Sequence, residues 1–137
     1  MNALTLHQLE SVKFWIENDI LFCNFNQNDY HWSEDDAKSQ VSKIEELTKG
    51  KRMPFVIDAR GFTGNFEPNA AKIFAGSSML SILSFRVFIA DTLHGKLLIS
   101  SYSRIYAPDI HIEVCTTKAE ALAYCAKSLK IYNANNN

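Results

Sequence analysis

The stretch Met53–Gly64, MPFVIDARGFTG, carries the pattern from which the rest of the chain is read. Phe55, Val56 and Ile57 form an unbroken apolar run, as in a short strand covered on both faces, and the polar turn former Asp58-Ala59-Arg60-Gly61 stops it near Asp58. Glu67-Pro68 then reads as the start of a helix, because the first turn leaves unbonded the amide hydrogen that proline lacks. The segment is therefore strand, glycine-containing loop, helix amino terminus. Open α/β sheets hold ligands at the carboxyl ends of their central strands. Asp58, Arg60, Gly61, Thr63, Gly64, Asn65 and Glu67 thus form the candidate partner- or ligand-binding loop. In one reading Arg60 pairs with an anionic ligand or a partner's carboxylate. In the other, Asp58 caps loop amides and Arg60 pairs with Asp58 or Asp91.

Upstream, Val12, Phe14 and Ile16 alternate with Lys13, Trp15 and Glu17. After Asn18-Asp19, both tolerant of positive φ, a second run follows through Phe25, which predicts an antiparallel hairpin. Residues 26–32 are polar and break the pattern. Ser33 and Asp36 form a capping pair for a helix whose inward stripe is Ala37, Val41, Ile44 and Leu47, and which ends at Lys49-Gly50.

Downstream of the loop, a helix from Pro68 to Leu83 is apolar around much of its circumference. A strand follows at residues 85–90, then a helix over 93–106 that ends before Pro108. Ile110, Ile112 and Val114 predict a half-exposed strand near a sheet edge. Thr116 or Thr117 caps a last helix through about Tyr132. The order ββαβαβαβα predicts an α/β fold with a mixed, mostly parallel sheet of about five strands and about four helices, in one domain over residues 1–132. The Asn-rich residues 133–137 are expected to form a flexible tail.

The 137 residues suffice for one core, and a formal net charge of -1 gives no support to a nucleic-acid partner. No run of about 20 apolar residues predicts a membrane span, and no export signal is visible, so a cytoplasmic protein is expected. Cys23, Cys115 and Cys125 lack CxxC spacing and read as structural thiols. The histidines show no metal spacing, and neither metal nor cofactor is expected. His111, Glu113 and Cys115 invite a thiol-enzyme reading, as would a cleft joining Asp58, Arg60 and His94. No oxyanion donor or orienting partner accompanies His111, Glu113 and Cys115, and no catalytic residue is assigned.

Three stretches carry a family resemblance: Phe55-Val56-Ile57-Asp58 with Arg60-Gly61-Phe62-Thr63-Gly64, Phe85-Arg86-Val87-Phe88-Ile89-Ala90, and Thr117-Lys118-Ala119-Glu120-Ala121-Leu122. With the element order, they resemble the SpoIIAA-like branch of the STAS domain family, the anti-sigma factor antagonists. The resemblance implies a bacterial signalling module that binds a protein partner without catalysis. In that branch a serine at the start of the second helix is phosphorylated. Here the corresponding residues are Asn65 to Ala70 with no serine, and Glu67 places permanent negative charge there, so the phosphoswitch is not expected. Thr63 is the nearest loop hydroxyl.

Trp15, Trp32, Phe74 and Met79 are candidate interface residues, since apolar surface left over after the sheet is covered is buried by another subunit, and a homodimer is expected. Two functions follow from the residues and the resemblance. The first is a non-catalytic STAS-like regulatory module acting through protein contacts. The alternative is a protein that binds or senses a small apolar, lipid-like ligand between the helices Pro68–Leu83 and Leu93–Tyr106 and the sheet.

Overall fold

The computed structural model describes residues 12–25, 31–62, 64–76, 83–108 and 110–136. Strands β1 (Val12–Glu17) and β2 (Ile20–Phe25) form the expected hairpin, with Val12 opposite Phe25 and Glu17 opposite Ile20. Asn18 and Asp19 turn it at φ 53° and 61°, a backbone twist that suits two antiparallel strands. Strand β3 is His31–Trp32, and helix α1 is Glu34–Thr48. The Ser33 hydroxyl accepts from the Asp36 amide at 3.2 Å, and the Asp36 carboxylate accepts from the Ser33 amide at 3.0 Å. This reciprocal pair satisfies two amides that the first turn leaves open. The helix stops where Lys49 and Gly50 adopt φ 52° and 78°.

Strand β4 (Met53–Asp58) is buried over its first five residues, as its apolar run predicts. Pro54 cannot donate to a ladder, and the register with the next strand shifts between Met53 and Phe55, so the irregularity falls at the proline. Strand β5 (Asn65–Phe66), helix α2 (Pro68–Phe74), strand β6 (Leu83–Ile89), helix α3 (Leu93–Tyr106), strand β7 (Ile112–Cys115) and helix α4 (Lys118–Asn136) complete the order. The main sheet runs β1-β2-β4-β6-β7, with β1 antiparallel and the remaining pairs parallel. It is a mixed, mostly parallel five-stranded sheet with β4 at its centre and β7 at an edge.

Four differences from the sequence reading have physical causes. Helix α2 ends at Phe74, well before Leu83. The Gly76 amide bonds the Ile73 carbonyl at 3.0 Å, a tightening typical of a final turn. Leu83 belongs to β6, in register with Met53, because a short apolar run satisfies either period. The expectations for Ser77, Ser78, Met79, Leu80 and Ile82 lie outside the described residues, as do those for residues 1–11. Helix α4 continues to Asn136, past Tyr132, where a polar tail was expected. The nominally polar segment before α1 contributes β3, which pairs in parallel with β5 and carries a buried Trp32.

Strand alternation sorts the core into two faces. Leu21, Cys23, Phe55 and Ile57 pack with α1 and α2 on one face, and Leu98 of α3 joins them. Ile20, Phe22, Val56, Val87 and Ile89 pack with Ala121 and Cys125 of α4 on the other. Of the four described helices, three therefore share one face and one takes the other. Gly95 leaves room for the cap of α3, since a Cβ there would lie 3.2 Å from Thr92 Oγ1 and 3.6 Å from Ala90 Cβ. The Thr92 hydroxyl in turn accepts from the Gly95 amide at 3.0 Å.

Candidate ligand-binding site

The loop after β4 is closed upon itself. The Ala59 amide donates to the Ile89 carbonyl and the Phe62 amide to the Ala59 carbonyl, with Gly61 at φ 76° supplying the turn. Arg60 Nε and Nη2 donate to the two Asp58 carboxylate oxygens at 2.9 and 2.7 Å, and the Arg60 amide adds a third bond at 3.2 Å. Partial burial alone would raise the Asp58 pKa. Hydrogen bonds from Arg60, and the charges of Arg60 and Lys118, outweigh it and hold the carboxyl below its ordinary value. The Asp58 hydrogen bonds and charge raise the Arg60 pKa in return. The second of the two sequence readings is the one the geometry matches.

Phe62 is buried, stacked on Phe25 at 4.6 Å. Asn65 accepts from the Phe66 amide at 2.8 Å, and Gly64 is half-buried. Thr63 lies outside the described residues. Glu67 precedes α2 but makes no side-chain cap there. Its carboxylate instead accepts from the Glu34 amide of α1 at 3.0 Å, and its own amide bonds the Trp32 carbonyl at 2.8 Å. The negative charge expected at α2 thus serves the amino end of α1, a neighbour brought in by the β3–β5 ribbon.

Behind this loop, between the sheet and helices α1, α2 and α3, lies a partly open cavity of about 90 Å³. Phe14, Phe55 and Phe88 line it from the sheet, and Ile44, Phe74 and Leu98 from the helices. Its position is the one the apolar helices predict. Its volume is not lipid-sized, being below the ~150 Å³ at which an engineered apolar cavity takes up benzene. The lipid-like part of that expectation is therefore corrected by the close packing of the aromatic rings.

Five lining side chains bring polar atoms: Cys23, Trp32, Gln40, Arg86 and Tyr102. Burial, then the Asp58 charge, pushes the Cys23 thiol far up, so it is protonated. Arg86 is 3% exposed. Its Nη1 donates to the Tyr102 hydroxyl at 3.0 Å, while Nε and Nη2 are shielded from water and have no hydrogen-bond partner. Gln40 Oε1 is likewise buried without a partner. Burial lowers the Arg86 pKa, with Tyr102 opposing, and raises that of Tyr102, with Arg86 opposing. Guanidinium remains charged even so.

Sequence reasoning placed Arg86 within the strand at residues 85–90 and in a stretch of family resemblance but gave it no role. The available signal was a full charge inside a strand of a mostly parallel sheet, where both faces are covered.

The family model for a domain of unknown function, DUF7793, matches residues 14–129. The chain belongs to this DUF7793 family. Its fold is similar to that of an uncharacterized protein of the DUF3478 family from Shewanella loihica PV-4, whose crystal structure is described as having a SpoIIAA-like fold. That likeness has a TM-score of 0.57 at 12% identity, over 83% of this chain and 91% of the other. It shows a SpoIIAA-like fold, as the element order predicts. No curated protein matches the sequence.

In this DUF7793 chain the described interface candidates, Trp15, Trp32 and Phe74, make ring contacts of their own. Trp32 is 2% exposed, against Phe25 and Phe74, which corrects its reading as a surface residue. The polar flanks of residues 31–33 concealed it. Trp15 stacks on Phe22 at 5.4 Å with Lys13 Nζ over its ring, and Phe74 is partly buried against the core.

Cys115 is raised by burial and then by Glu120 and Glu113, the opposite of a thiolate-favouring environment. His111 contacts the Tyr124 hydroxyl. Burial and the nearby Cys115 push the Cys125 thiol up to about 11, and all three cysteines are free. Among the described residues, no group of three or more metal-ligating side chains gathers, and no helix is long and apolar enough to cross a membrane.

Proposed function

We propose that this DUF7793 chain is a non-catalytic regulatory module, similar in role to STAS domains, that acts by recognising a small apolar ligand in the cavity between the sheet and helices α1, α2 and α3. The carrying observation is that cavity, about 90 Å³ bounded mainly by apolar and aromatic side chains. It is small for a lipid tail and large enough for a body of a few carbon atoms, about three waters' worth of space at ~30 Å³ each. An apolar body there gains its transfer free energy, about 0.8 kcal/mol per buried methylene. Binding would stiffen α3 against the sheet and so couple occupancy to the outer surface.

Titration of the labelled protein with 1-butanol, followed by two-dimensional NMR, tests the reading. Saturable shifts confined to cavity residues such as Phe55, Phe88 and Leu98 are expected. Shifts scattered over the surface, or none, would overturn it.

A second reading, recognition of a protein partner or a second copy, is favoured by α3. Leu93, Leu97 and Ile105 are 73, 58 and 61% exposed on its outer side. Concentration-dependent sedimentation that Leu97→Glu abolishes would support self-association. Monomeric behaviour throughout would remove it.

A further inference from the structure

The cavity has one feature that a purely apolar ligand would not use. Arg86 lies in its wall, 3% exposed, with Nε and Nη2 unpartnered. An isolated buried guanidinium is costly, and removing polar groups from water without replacing their bonds adds to that cost. Tyr102 engages only Nη1 and brings no charge.

The bonding that would complete Arg86 is seen elsewhere in this chain. Arg60 holds both oxygens of one carboxylate with Nε and Nη2 at 2.9 and 2.7 Å. The same two donors of Arg86 are left over, as a parallel pair in a plane set by the guanidinium itself. Resting on the cavity reading above, we propose that the site takes a small monocarboxylate with a compact apolar body, its carboxylate held by Arg86 Nε and Nη2.

The chemistry favours this class over other anions. One buried cation neutralises one negative charge, whereas a phosphate dianion would leave uncompensated charge against aromatic walls. The fork matches two oxygens in a plane. The phenylalanine walls take the hydrocarbon part, and the volume limits it to a short or branched chain. Gln40 Oε1, also in the lining and unpartnered, is an acceptor and does not compete for the carboxylate.

The test is NMR titration of the full chain at neutral pH with butyrate, its neutral isostere butyramide, and inorganic phosphate. Butyrate is expected to bind at least tenfold more tightly than butyramide, with the Arg86 side-chain NεH resonance shifting on saturation and phosphate leaving it unmoved. In Arg86→Met the preference is expected to fall to about one, while the 1-butanol shifts persist and show that the fold and cavity survive. Arg86→Lys, which keeps the charge and loses the fork, is expected to retain only part of the preference.

Equal binding of butyrate and butyramide to the unaltered protein, with 1-butanol still bound, would overturn the carboxylate assignment and leave the apolar cavity standing. So would a butyrate preference that survives Arg86→Met, or phosphate binding as tightly as butyrate. Failure of butyrate, butyramide and 1-butanol alike would overturn both.

Discussion

Arg60 and Arg86 lie on opposite sides of the line that separates surface chemistry from core chemistry. The Arg60 side chain is 41% exposed and engages Asp58 through two hydrogen bonds, with a third from the Arg60 backbone amide. Arg86 is nearly inaccessible and has one hydrogen bond, to a neutral hydroxyl. Where water can reach, an arginine is satisfied cheaply by a neighbour two residues away, and the pair adds little. Where water is excluded, the same group retains unfilled bonding capacity, and a ligand that fills it gains far more. The sequence drew attention to Arg60, beside a glycine and at the end of a strand. The exclusion of water draws it to Arg86.

The comparison can be broken at its strongest point by emptying the aromatic wall. Trp32→Ala should destabilise the protein by about 3–5 kcal/mol in urea unfolding, because the ring is buried among Phe25 and Phe74. A loss below about 1 kcal/mol would mean that this side of the core is not packed as described. Arg86→Met should act in the other direction, raising stability by about 1–3 kcal/mol, since an apolar side chain removes an unpaired buried charge. A marked loss instead would show that Arg86 is a structural residue already satisfied within the fold.

Smaller changes sharpen the surface side. Glu67→Ala should cost about 1 kcal/mol through the lost bond to the α1 amide, with helix fraying visible as faster amide exchange at Glu34. Arg60→Ala should cost less than about 1 kcal/mol, as for other exposed pairs.

The pH dependence of this pair has a definite sign. The folded Asp58 pKa lies below the ordinary carboxyl value of 3.8, so the contribution is present above that pH and is lost as pH falls toward the folded value. Asp58→Asn should flatten the acid limb of the stability profile below about pH 4. An unchanged acid limb would show that the ion pair does not persist in solution.

Local features were legible because local forces decide them. Asn18-Asp19 at a hairpin, Ser33 with Asp36 at a helix start, and the apolar run before Asp58 each act within a few residues. Leu83 was misread because short apolar stretches satisfy helix and strand periods alike, and pairing with β4 decides for it. Trp32 was misread because what covers it, Phe74 and Phe25, is remote in sequence or separated by a polar segment. Glu67 was placed at the right helix by sequence and directed to a different one by the β3–β5 pairing.

By itself, then, the chain's text determined the five strands of the main sheet, the order of the larger elements and the mostly parallel pairing, since hydrophobic period, caps and turn residues act over one or two turns of backbone. Only the tertiary structure decided that three helices share one face, that their aromatic side chains stop short of filling it, and that an arginine lies in the resulting wall with two donors unpartnered. Those are properties of the space between elements, set by packing among residues far apart in sequence.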